Sequence, residues 1–82
     1  MIKVDTSTKS LYLSEMKRNQ QGTVAELNTD NSNILRKLMS MGILPGMPLR
    51  VIQTFPSYVF EVGYTQVAVD KEIASVVLVS MY

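Results

Sequence analysis

The side chains that carry most protein chemistry are only partly present here: the sequence has carboxylates, amines, hydroxyls and thioethers, but neither histidine nor cysteine. The commonest general base and the thiolate nucleophile are therefore missing, and no serine stands in a nucleophile-elbow context. Zinc and similar metals lose their preferred ligands, which leaves only oxygen donors and methionine sulfur. The acidic residues are Asp5, Glu15, Glu26, Asp30, Glu61, Asp70 and Glu72. Only Asp70 and Glu72 are near neighbours, and that spacing builds no carboxylate cage for a hard cation. The six methionines are scattered along the chain in a way that suits core filling or a contact surface better than thioether ligation. The chain reads as a non-enzyme with no catalytic residue, no cofactor and no metal site.

Binding chemistry is better represented. Lys17, Arg18, Arg36, Lys37, Arg50 and Lys71 are the raw material of a basic stripe, and Tyr58, Phe60 and Tyr64 of stacking platforms for bases. The formal net charge is only +1, and no basic run is interleaved with aromatics. Nucleic-acid binding therefore stands as the alternative reading. The other candidate lies in residues 38–51, "LMSMGILPGMPLRV". Ile43, Leu44 and Met47 place three apolar side chains in five positions of what must be a turn, as a docking patch for another protein would. Gly42, Pro45 and Gly46 are the residues that shape that turn.

The elements that position these residues follow from periodicity. Eighty-two residues with 46% hydrophobic and 18% charged side chains suit one globular domain with one core. Residues 1–10 are polar and read as a loose lead-in, although Ile2 and Val4 alternate as a short edge strand would. Residues 11–82 form the domain. "LYLSEMKRNQQG" reads as an extended lead-in followed by a single turn, and "GTVAEL" as a strand. The Asn28–Asn33 cluster offers N-caps for a helix over about residues 33–41, with Ile34, Leu35, Leu38 and Met39 on one face.

Gly42 suits the left-handed residue that ends such a helix, with Ile43 next packing back on Leu38. Leu44-Pro45-Gly46-Met47 suits a type II turn. Period-two runs follow around Leu49 and Val51, from Tyr58 to Val62, and at Val67 and Val69. After "DKEIAS", "VVLV" reads as a buried strand. Five strands and one inserted helix in so short a chain predict a mainly β fold, a small, strongly bent antiparallel barrel of the SH3-like type. The opening residues have no apolar leader core, and no apolar run approaches the ~20 residues of a membrane helix. A cytoplasmic protein without membrane insertion is expected.

The joint "LMSMGILPGMPLRV" and the closing "VAVDKEIASVVLV" together resemble the FeoA family, ferrous iron transport protein A. Met41, Gly42, Ile43, Pro45 and Gly46 match the joint. Val67, Ala68, Val69, Ile73, Ala74 and Val79 match the close, and the likeness runs over about residues 11–80. Three positions depart from the family pattern: Asn19 stands for a loop glycine, "TFPSY" lacks one, and Asp70 replaces a basic residue. The resemblance implies an SH3-like barrel and an accessory or regulatory role. The implied partner is a membrane ferrous iron transporter that carries a cytoplasmic GTP-binding domain. Self-association is left open.

Overall fold

The structure is a computed structural model that describes residues 9–81. Ile2 and Val4, read above as a short edge strand, lie outside the described residues. The chain folds as β1 (Ser10–Tyr12), a 3-10 turn (Leu13–Glu15), β2 (Gln21–Leu27), α1 (Ser32–Ser40), β3 (Pro48–Gln53), β4 (Tyr58–Val62), β5 (Thr65–Val69), α2 (Lys71–Ala74) and β6 (Val77–Met81). All pairings are antiparallel, in one sheet of order β1-β6-β2-β3-β4-β5. The small SH3-like barrel expected from the sequence is present, with α1 inserted between β2 and β3.

Among the described residues the strands number six, not five. The extra strand is β1, where Ser10, Leu11 and Tyr12 pair with Ser80, Val79 and Leu78. Three residues are too few to show a period, and this strand exists because β6 offers it a ladder. "DKEIAS" forms the short α2. Asp70 is its N-cap, accepting a hydrogen bond from the Ile73 N–H at 3.0 Å.

Two irregularities bend the sheet into a barrel. Against β6, the register of β2 slips between Val24 and Glu26; against β4, that of β3 slips between Val51 and Gln53. An extra residue in one strand raises local twist; the slip in β2 falls mid-strand and that in β3 at its C-terminal end. The concave side is filled by alternate strand residues, among them Val24, Leu49, Val51, Phe60, Val62, Val77 and Val79. Leu13 and Met16 from the 3-10 segment, Leu38 from α1 and Ile73 from α2 close the ends of this core. No polar or charged residue is buried among the described residues. Side-chain bonds tie distant segments at the rim: the Tyr58 hydroxyl donates to the Ser14 carbonyl at 3.4 Å, and the Asn28 amide donates to the Tyr12 hydroxyl at 2.8 Å.

Asn31 starts α1, its side-chain oxygen accepting from the N–H groups of Asn33 and Ile34. The helix ends in a Schellman motif. The Gly42 N–H donates to the Met39 carbonyl and the Ile43 N–H to the Leu38 carbonyl, both at 3.0 Å, with Gly42 at φ 82°. Asn19 also holds a left-handed φ, 73°, where the family pattern has glycine.

Glycine is needed at positions 42 and 22 for different reasons. A Cβ at Gly42 would meet no atom within 4 Å, so the only cost of a side chain there is the left-handed backbone. Gly22 lies against β6, and its Cβ would press into the Ser80 carbonyl oxygen and come within 2.8 Å of Val79 Cγ1. Gly42→Ala is expected to cost about 1–2 kcal/mol, with Gly42→Asn milder, because Asn tolerates this region. Gly22→Ala is expected to cost more, about 3 kcal/mol, because a strand backbone must shift to make room. Urea unfolding of the three variants checks the order.

Candidate functional site

Ten residues, 38–47, carry the chain from helix to strand, and backbone hydrogen bonds hold both turns between them. After the Schellman turn, the Met47 N–H donates to the Leu44 carbonyl at 3.1 Å, and Gly46 sits at φ 95°. That is the geometry of a type II turn with glycine at its third position. The turn is then fastened to β2 through one residue. The Gly46 N–H donates to the Val24 carbonyl at 2.7 Å, and the Val24 N–H donates to the Met47 carbonyl at 2.9 Å. Gly46 and Met47 thus oppose the single residue Val24, a bulge whose first residue is a left-handed glycine.

The joint separates its three apolar side chains. Ile43 is wholly buried, in the same core cluster as Leu38, and so is removed from the proposed docking patch. Leu44 is 39% exposed at the start of the turn. Met47 is half-buried and packs on the core from its edge. Gly42, Pro45 and Gly46 shape the backbone around them.

Met39 departs from its expected place. The helical period puts it on the inward face, yet it is 51% exposed. Only Leu38 of α1 is fully buried, because the nine-residue helix meets the barrel along a narrow stripe. Met39, Leu35, Leu44 and Pro45 instead form one wall of a groove of about 380 Å³, whose other wall is Ala25, Glu26 and Leu27 of β2. The lining side chains are apolar except for Glu26. The i, i+4 pair Leu35 and Met39 was the sequence signal for this groove, and burial by period alone misassigned it. On the other flank of the joint, Met41, Gly42 and Met47 border a second hollow of about 450 Å³ that ends at Gly63-Tyr64, the turn joining β4 to β5.

The stacking set for nucleic acid does not assemble. Phe60 is fully buried, and Tyr58 is half-buried with its hydroxyl engaged by Ser14, which leaves Tyr64 at the hairpin tip. Arg50 pairs with Glu61 at 3.3 Å on the strand surface. Among the described residues no three Asp or Glu side chains converge, and no helix is long and apolar enough to cross a membrane.

A small bent antiparallel barrel with a helix inserted between its second and third strands is of the SH3-like class. The FeoA domain matches residues 11–81, and the chain belongs to the FeoA family of ferrous iron transport accessory proteins. Among solved structures, the crystal structure of an iron uptake regulatory protein (FeoA) is 30% identical. It superposes with a TM-score of 0.82 over 90% of this chain and all of that one. FeoA of Stenotrophomonas maltophilia, solved as a zinc complex and described as a prokaryotic SH3-domain protein, is 25% identical. Its TM-score is 0.73, over 84% of this chain and 88% of that one. A manganese-dependent transcriptional repressor is 22% identical with a TM-score of 0.82, over 89% of this chain but only 42% of the repressor; it shares the fold. No curated protein sequence matches significantly.

With its carboxylates dispersed, the isolated chain is expected to hold ferrous iron or zinc no better than a generic acidic surface. Anaerobic titration calorimetry should give no stoichiometric site tighter than about micromolar. A tighter one would mean oxygen or thioether ligands gathered by a rearrangement or by a second molecule.

Proposed function

We propose that this protein is a non-catalytic accessory protein of ferrous iron uptake that docks, at the cytoplasmic face, on the GTP-binding domain of the membrane transporter. Family membership supports the pathway, and the groove beside the joint supports docking as the mode of action. One observation carries it: the Schellman turn, the type II turn and the Val24 bonds hold Leu44 partly in solvent, next to exposed Met39, over an apolar groove. A surface leucine on a mobile loop would lose much of its binding energy to ordering; this one is already ordered. Ile43 takes no direct part, and Met47 supports the turn from its inner side.

The variant Leu44→Ser tests the reading. Because Leu44 is only partly buried, it should lower stability by about 1 kcal/mol or less, while Ile43→Ala, in the core, should cost about 2–5 kcal/mol. Binding of Leu44→Ser to the transporter's GTP-binding domain should weaken by at least about tenfold, as for an anchor residue at an interface. The measurement is thermal unfolding and binding, with and without guanine nucleotide, on one preparation. Lost stability with unchanged affinity would make Leu44 a packing residue and the joint purely structural.

A further inference from the structure

The sheet has an open edge. Among the described residues β5 pairs with β4 alone, in an unbroken register from Tyr58↔Val69 to Val62↔Thr65. Val62 and Thr65 flank a two-residue turn, so they form a hydrogen-bonded pair, and the alternation of an antiparallel ladder does the rest. Thr65, Val67 and Val69 turn their N–H and C=O groups toward β4, while Gln66 and Ala68 turn theirs outward. Both outward residues are exposed, and among the described residues nothing pairs with them. Edge strands are commonly guarded by a charge, a proline or a bulge. Thr65-Gln66-Val67-Ala68-Val69 has none of these. The opposite edge, β1, is only three residues long.

We infer that this edge pairs with the same edge of a second copy, giving a two-fold antiparallel ribbon centred on Val67. The outward groups lie symmetrically about that residue. Gln66 of each copy then opposes Ala68 of the other, and the four N–H groups and carbonyls of these residues close four hydrogen bonds. Val67 meets its own copy across the axis, in the closer, non-hydrogen-bonded type of pair.

Charge favours a second copy as the occupant. A two-fold brings a strand against itself, so any charge near its centre would face its like. This strand carries no charge, and the nearest one, Asp70, would fall opposite Tyr64 of the other copy. The edge is separate from the groove at Leu44 and Met39, so the inference stands whether or not that groove docks a transporter.

A five-residue ribbon is smaller than the roughly 1,200 Å² of a stable interface, so association belongs to high concentration. With a Kd near about 1 mM, sedimentation at about 1 mM should give a weight-average mass about 1.5-fold that of one chain. Over the same range, hydrogen exchange at the Gln66 and Ala68 amides should slow about twofold, with Val67 and Val69 protected at every concentration. Ala68→Pro removes an outward N–H and should return the mass to that of one chain, since proline is tolerated at an edge whose N–H faces solvent. If that variant does not fold, the exchange pattern of the unaltered protein decides. A constant mass at about 1 mM would overturn the inference and leave the edge to a foreign strand. So would a rising mass with unchanged exchange at Gln66 and Ala68, which would place the contact elsewhere.

Discussion

The fold turns on the backbone of Val24. Its N–H and carbonyl are both used by the joint, one on Met47 and the other on Gly46, while its side chain is buried in the core. A buried strand residue cannot leave either group unpaired without cost. The joint therefore has to arrive at β2 with two residues opposed to one. That requirement fixes Gly46 at positive φ, which in turn fixes the type II turn, the position of Pro45, and the distance at which α1 must end. Gly42 ends it there. The sequence of helix, glycine, two apolar residues, proline and glycine is one solution to a single geometric problem, how to reverse a chain within a few residues against a strand already satisfied on its other side.

Much of this is legible in residue types, because the devices involved are local. Gly42 and Gly46 occupy left-handed positions that only glycine takes freely, and Ile43 is the apolar residue a Schellman turn draws inward. β3, β4 and β5 have a period of two that survives in sequence, and β6 shows itself as a continuous apolar run. What fails to show depends on partners far along the chain. β1 has too few residues to alternate and is defined by β6. The slips in β2 and β3 leave no residue signature, since Ala25 and Ile52 look like ordinary strand residues. Gly22 could be read as a strand breaker, yet it is there because the Ser80 backbone leaves no room for a Cβ.

Met39 shows why the candidate surface was only half legible. Helical spacing groups it with Ile34, Leu35 and Leu38, and in a helix lying flat on a broad core all four would be covered. α1 instead leans on the barrel along Leu38, so its flank stays open beside β2. Period tells which residues share a face but not how wide a face the partner element covers. Phe60 illustrates the converse: an aromatic in an alternating run was available in principle for stacking, but the core claims it because it lies on the concave side of β4.

The binding chemistry of this surface follows from what the joint removes from it. Ile43 is taken into the core, and Met47 supports the turn that bonds to β2. Leu44 is the residue between them that neither demand claims. Its partial exposure follows from its place between them: Ile43 turns into the core, and the turn that follows leaves Leu44 along the groove. Large apolar side chains held in water on rigid backbone cost little entropy to bind, so they make better anchors than the same residues on a loop. The rigidity that lets a barrel this small fold around a single core is therefore also what would let it recognise a partner. The backbone bonds of Val24 serve both ends at once.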